Sequence, residues 1–221
     1  LAAETHLHDD HDRDEHDHAH PSRPDDDDRM TYYRVMETAV RELLIEKGII
    51  TADDVRRAIE AMDARTPAQG ARVVARAWVD PDFKARLLAN GSATVRELGI
   101  EVGPTHLVVL ENKPGLHNLI VCTLCSCYPR MVLGPPPAWY KSNNYRSRAV
   151  REPRAVLHEF GTEISDDVEV RVHDSTADMR YLVLPERPAG TEGWSEERLA
   201  ALVTRDSMIG VARAMKPGST G

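Results

Sequence analysis

The chain has 221 residues, 41% of them hydrophobic, with three cysteines and a formal charge of −8. Three cysteines inside six positions argue against a secreted disulfide scaffold, which would need an even, dispersed set. The sequence holds no charged-then-apolar leader and no apolar run of about 18 residues, so no membrane span is expected and a cytoplasmic location is.

The acidity is local. Residues 1–28 carry nine Asp, two Glu and two Arg, a net of −9 with histidine neutral, so the rest of the chain nets about +1. The remainder therefore shows no charge signature for nucleic acid. The tail has almost no apolar residues and is expected to be disordered. Six of the ten histidines fall there, His6, His8, His11, His16, His18 and His20, interleaved with Asp. Such a run is either a loose site for divalent cobalt, nickel or zinc or a solvated extension.

Met30 to Lys47 has apolar residues at three-four spacing (Tyr33, Met36, Val40, Leu43, Leu44) and stops at Gly48, which predicts an amphipathic helix. Thr51 with Asp54 forms a capping box for a second helix, with Val55, Ile59 and Met62 on one face. These stripes predict a packing surface, an arm that grips another subunit. A helix over Ala68–Val79 follows. Asp80-Pro81 then opens one over Asp82–Ala89, and Ser92 starts a short one that ends at Gly99.

After Gly99 the pattern changes to short runs rich in Val, Leu and Ile. His106–Glu111 and His117–Val121, separated by Asn112-Lys113-Pro114-Gly115, predict a β-hairpin or strand pair that delivers Cys122 at a strand end. Val168–Val172 and Met179–Leu184, around a polar turn at Asp174-Ser175-Thr176, predict a second pair. Ser142 caps a helix to about Val150, Pro153 opens another that Gly161 ends, and Ser195 caps a final helix over Glu196–Val203. Arg146, Arg148, Arg151 and Arg154 are either a solvated helical face or donors to acidic groups near a subunit interface. The whole reads as α+β.

The chemistry concentrates in Val121-Cys122-Thr123-Leu124-Cys125-Ser126-Cys127-Tyr128-Pro129-Arg130. A Cys-x-x-Cys turn lets two sulfurs converge on one ion, and Cys-x-Cys holds the intervening backbone against it. If the amides of Ser126 and Cys127 lose their protons, both nitrogens and the sulfurs of Cys125 and Cys127 form one chelating plane. Cys122 sulfur then takes an axial position and a sixth stays open. Five anionic donors suit a trivalent ion, and an open position marks a catalytic site. Two other readings stand beside this one. A structural zinc site would need a fourth ligand such as His117, and a Cys-x-x-Cys redox pair would leave Cys127 unexplained.

The heptapeptide Val-Cys-Thr-Leu-Cys-Ser-Cys resembles the metal-binding signature of the nitrile hydratase α subunit and of the related thiocyanate hydrolase catalytic subunit. The resemblance runs from about Met30 to about Val211. It includes Trp139-Tyr140-Lys141, Tyr145-Arg146-Ser147-Arg148, Val150-Arg151-Glu152-Pro153-Arg154 and Arg187-Pro188-Ala189-Gly190-Thr191-Glu192-Gly193-Trp194. It implies metal ligation by the sulfurs of Cys122, Cys125 and Cys127 and the amides of Ser126 and Cys127, with Cys125 as the sulfinic and Cys127 as the sulfenic acid. Thr123 is typical of the cobalt branch, so a non-corrin Co(III) ion is implied, with Fe(III) as second choice. Cys125, Ser126 and Cys127 would carry catalysis, with Arg130 and Tyr128 as pocket residues.

The same resemblance implies a layered α-β-β-α metal-binding catalytic domain over 80–221, a helical arm over 29–79 and the tail over 1–28. It further implies a β-type partner subunit, a metallochaperone or activator protein, and a small-molecule nitrile hydrated to its amide. Two departures concern the pocket. Arg130 stands where many cobalt enzymes have Trp and thiocyanate hydrolase is Arg-like, and Gly103-Pro104-Thr105-His106 lacks the pocket Gln of many nitrile hydratases. A thiocyanate hydrolase catalytic subunit is the first alternative, and a metal-holding or metal-delivering protein without turnover is the second.

Overall fold

The computed structural model describes residues 31–125 and 127–218, so the His/Asp-rich tail (1–28) and Ser126 lie outside the described residues. Two helices come first, α1 (Tyr32–Glu46) and α2 (Ala52–Asp63). Their starts follow from side-chain capping. The Thr31 hydroxyl accepts from Arg34 N, and Thr51 and Asp54 cap each other reciprocally. Neither helix buries a residue, and Tyr33, Met36, Val40, Leu43, Ile59 and Met62 are all exposed.

The body comprises α3 (Pro67–Val79), α4 (Pro81–Ala89), α5 (Gly91–Arg96), β1 (His106–Glu111), β2 (Leu116–Val121), α6 (Arg130–Leu133), α7 (Ala138–Lys141), α8 (Asn143–Arg151), α9 (Pro153–Glu159), β3 (Glu169–Asp174), β4 (Met179–Leu184), α10 (Glu196–Ala200) and α11 (Arg205–Ile209). The expected arm over 29–79 took in α3, but α3 buries Val73, Val74, Ala75 and Ala77 and packs on α10, α4 and α6. It belongs with the body; the exposed pair is α1 and α2. Two helix ends also differ from expectation. Asn90, not Ser92, caps α5; the Ser92 hydroxyl instead accepts from Leu107 N at 2.7 Å, tying the helix to β1. The helix capped by Ser195 ends at Ala200, and a Thr204–Ser207 capping box opens a further one, α11.

The strands pair differently from the expected β1–β2 and β3–β4 pairs. β1 runs parallel to β4, with His106 opposite Met179 and Glu111 opposite Leu184. β2 runs parallel to β3, with Leu116 opposite Glu169 and Val121 opposite Asp174. An isolated Lys113–Leu116 bridge is the antiparallel contact between the β1 and β2 segments. The physical reason is burial on both faces. Parallel strands read as continuous apolar runs rather than alternating ones, and Leu119-Ile120-Val121 and Leu182-Val183-Leu184 are such runs, all buried. Burial along β4 accordingly does not alternate. The two small sheets meet through β2 and β4; α4, α5 and α11 cover β1–β4, and α8 and α9 cover β2–β3. This is a helix–sheet–sheet–helix stack. Among the described residues no helix is long and apolar enough to cross a membrane.

A buried polar knot locks the strands together. The Nε2 of His117 meets the Gly210 carbonyl at 2.7 Å and its Nδ1 faces the Asn112 amide at 3.3 Å. Asn118 N donates to Asn112 Oδ1 at 2.7 Å, and His173 Nε2 lies 2.9 Å from Asn118 Oδ1. Gly210 has to be glycine, since its φ is +94° and a Cβ would sit 2.1 Å from the Asn118 carbonyl oxygen. His117 is only 5% exposed. Burial, opposed by the Gly210 carbonyl and aided by Arg213, holds its pKa below the ordinary value. Above the ordinary value of about 6.5, folded and unfolded chains both carry this ring neutral. As pH falls through that value the unfolded chain takes a proton that the native ring refuses, so stability drops. Urea denaturation between about pH 7 and 5 is expected to show this fall, at most about 1.4 kcal/mol per pH unit for one histidine. His117→Gln removes that share of the slope; an unchanged slope would mean the ring titrates alike in both states.

Candidate metal centre

Strand β2 carries the chain out of the core, and Cys122, fully buried, is the next residue. The chain then turns back on itself, with Cys125 N donating to Cys122 Sγ at 3.3 Å. Cys122 Sγ lies 3.4 Å from Cys125 Sγ, and Cys125 Sγ lies 3.1 Å from Cys127 Sγ. All three sulfurs fall within 4.8 Å of one another, and they form the metal-competent cluster among the described residues. With metal–thiolate bonds of about 2.3 Å, sulfurs at tetrahedral corners would be about 3.8 Å apart and sulfurs at right angles about 3.3 Å. The observed spacing fits the right-angled arrangement and so a six-coordinate ion better than structural zinc. His117 does not complete a zinc site, because both its ring nitrogens are engaged at the opposite end of β2. Cys125 and Thr123 are exposed, and Leu124 at the loop tip is 88% exposed. The cluster thus opens outward. A cavity of about 850 Å³, lined by His117, Pro188 and Lys216 among others, lies at the other end of β2.

The loop backbone is gripped from two sides. From α8, Arg146 Nε donates to Cys122 O at 3.0 Å and its Nη2 to Thr123 O at 2.6 Å, while Tyr145 OH donates to Ile120 O at 2.7 Å. From α7, Tyr140 OH donates to Cys127 O at 3.0 Å. From the end of β3, Asp174 accepts Thr123 N at 2.9 Å and also the Thr123 hydroxyl. The Trp139-Tyr140 and Tyr145-Arg146 blocks are therefore the frame of the cysteine loop. Arg146 grips carbonyls, so it is neither a solvated side chain nor a donor to acids; Arg148 binds acids, Glu152 and Glu159. Arg154 tethers the chain before β3 through the Ile164 and Ser165 carbonyls. Asp174 escaped sequence reasoning because it reads as a turn residue; its role depends on the parallel register.

Tyr128 is 2% exposed, stacked edge-on against Tyr140 at 4.9 Å, and its hydroxyl has no hydrogen-bond partner among the described residues. Burial pushes this phenol well up. Arg130 is exposed at the first position of α6, and Ser126 lies outside the described residues. Burial, and then hydrogen bonding with Cys125, pushes the Cys127 thiol up to about 12, opposed by the charge of Arg180. Thiols packed this closely ionise readily only with a cation among them. Asp174→Ala is expected to leave the fold intact and to loosen the incoming limb of the loop. Loss of metal to a chelator should become about 10–100 times easier. Wild-type retention in the variant would show that Arg146 holds the limb unaided.

A family model described as nitrile hydratase, alpha chain, matches residues 31–212. The low-molecular weight cobalt-containing nitrile hydratase subunit alpha of Rhodococcus rhodochrous is 52% identical over 181 residues, covering 81% of this chain and 87% of the relative. Thiocyanate hydrolase subunit gamma of Thiobacillus thioparus is 45% identical over 205 residues, covering 87% of this chain and 84% of the relative. Among solved structures, a double mutant of the Fe-type nitrile hydratase from Comamonas testosteroni Ni1 superposes with a TM-score of 0.76 at 46% identity, covering 85% of this chain and 94% of that one. With the family model spanning most of the chain and relatives near half identity, the chain belongs to the nitrile hydratase alpha-chain family.

Proposed function

We propose that this chain is the metal-bearing α subunit of a cobalt-type nitrile hydratase, adding water across a nitrile to give the amide. The observation that carries the reading is three converging sulfurs on an outward-opening loop, with the Cys122–Cys125 and Cys125–Cys127 pairs at right-angle spacing. The cobalt-containing relative and Thr123 support cobalt over iron. Cys122, Cys125 and Cys127 would hold the ion through sulfur, and the amides of Ser126 and Cys127 would complete the set. Such an ion supplies Lewis acidity toward a nitrile or toward water. The chain's own contribution is rigidity. Arg146 and Asp174 fix the incoming limb, and the buried Cys122 sulfur anchors the cluster to the core. Cys125 and Cys127, as sulfinic and sulfenic acids, would present oxygens to the open side.

The reading includes a β-type partner and an activator protein that loads the metal. Support for the partner is physical. An 88% exposed Leu124 and an apolar row on α1 and α2 with no buried residue are costly in water. The arm would be α1 and α2, and the partner would supply pocket walls that the open loop lacks. The alternative substrate, thiocyanate, is favoured by one residue, Arg130, whose exposed charge sits three positions past Cys127.

Two measurements test the proposal on the complex co-produced with its β-type partner. Metal analysis should give about one slowly exchanging cobalt per chain, and mass spectrometry of the 122–127 peptide should find Cys125 and Cys127 oxygenated. Iron in place of cobalt, or freely exchanging divalent metal on unmodified thiols, would sink it. Arg130→Trp separates the substrates. An added indole wall is worth about 1–3 kcal/mol to a small apolar ligand, so small aliphatic nitriles should gain. If thiocyanate is the substrate, its turnover falls and nitriles gain little.

A further inference from the structure

The cysteine loop is anchored unevenly. Its incoming limb is held at consecutive positions: Tyr145 OH on Ile120 O, Ser175 N on Val121 O at 2.8 Å, Arg146 on Cys122 O and Thr123 O, and Asp174 on Thr123. On the outgoing limb, among the described residues, the framework bond to Cys127 is the one from Tyr140 OH to its carbonyl, at 3.0 Å.

Tyr140 is built for that one contact. It is 0% exposed, and its ring packs edge-on against Tyr128 at 4.9 Å and Trp139 at 6.0 Å and is tilted against Tyr145 at 5.6 Å. A ring caged on three sides cannot swing its oxygen away. The carbonyl it holds belongs to the planar peptide that follows Cys127. Fixing that plane removes one of the two backbone rotations that aim the Cys127 side chain.

We propose that Tyr140 is a positioning residue of the metal centre, its hydroxyl aiming the Cys127 sulfur by holding the Cys127 carbonyl. The proposal rests on the cobalt reading given above. It assigns Tyr140 no contact with substrate. The incoming limb would then secure retention of the ion, and Tyr140 the direction of the outermost sulfur.

The test compares Tyr140→Phe with Tyr145→Phe, each co-produced with the β-type partner and loaded with cobalt. Both remove one hydroxyl from a caged ring and one bond to a carbonyl, but only the first carbonyl belongs to a cysteine on the outgoing limb. Tyr140→Phe is expected to keep its cobalt, to shift the sulfur-to-cobalt charge-transfer absorption, and to lose about 10–100-fold in kcat with KM within about twofold. Tyr145→Phe should lower Tm by a similar amount and leave the absorption band in place. A wild-type band and kcat in Tyr140→Phe overturn the proposal. So does an equal shift in both variants, which would mean general loosening of the frame. If the wild-type complex itself binds no cobalt, the metal reading falls first and takes this one with it.

Discussion

The parallel pairing of β2 with β3 is the constraint on which the site depends. It sets Val121 opposite Asp174, so both strands end at the same edge. The residues that leave β2 are the cysteines, and the carboxylate that ends β3 is at hand to take Thr123 N. A hairpin between β1 and β2 would have left Cys122 without that neighbour. A slip of one residue in β2 would exchange its two buried faces, so that each met the wrong neighbours. The His117–Asn112–Asn118–His173 knot specifies it further, since its buried donors and acceptors match only in this alignment.

A loop that must present three thiols outward cannot be held by burying its side chains. It is held by its carbonyls instead. Arg146 and the phenols of Tyr140 and Tyr145 each spend a buried or half-buried donor on a backbone oxygen, and hydrogen bonds from a charged donor are about twice as strong as neutral ones. Among the described residues the thiols meet one another, and Cys122 Sγ also meets the Cys125 amide. Burial, and after it their crowding, disfavours ionisation and raises the Cys127 thiol. The protein thus stores an arrangement that a cation relieves, and coordination and local order reinforce each other.

Much of this was legible in the residues. The cysteine spacing pointed to three sulfurs brought together, as they are, and the caps at Thr51, Ser142 and Ser195 mark real helix starts. Strand pairing was not legible, because neighbouring apolar runs separated by Asn112-Lys113-Pro114-Gly115 look like a hairpin. The cue that would have corrected this is the unbroken run Leu119-Ile120-Val121, which an edge strand facing water on one side would not carry. Arg146 and Asp174 were invisible as frame residues for a related reason. Each lies more than twenty positions from its carbonyl or amide in sequence, and no local pattern encodes such a contact. Tyr140 and Tyr145 were visible as conspicuous aromatics, but their partners were not.

The same geometry explains why this chain alone is an incomplete catalyst on the proposed reading. A pocket must exclude water from the reacting atoms, and a site on an exposed loop cannot do so by itself. Cys125 is exposed, Leu124 projects beyond it, and the large cavity lies at the far end of β2. Whatever covers the cysteines has to bring its own walls and must bury Leu124 in doing so. The apolar row of α1 and α2 needs a cover of its own as well. A single partner that meets both surfaces would gain the apolar area of the arm and place its walls over the thiols in one association step. Stability of the assembly and completion of the pocket would then be the same event. An arm whose residues face solvent in isolation is the feature such coupling requires.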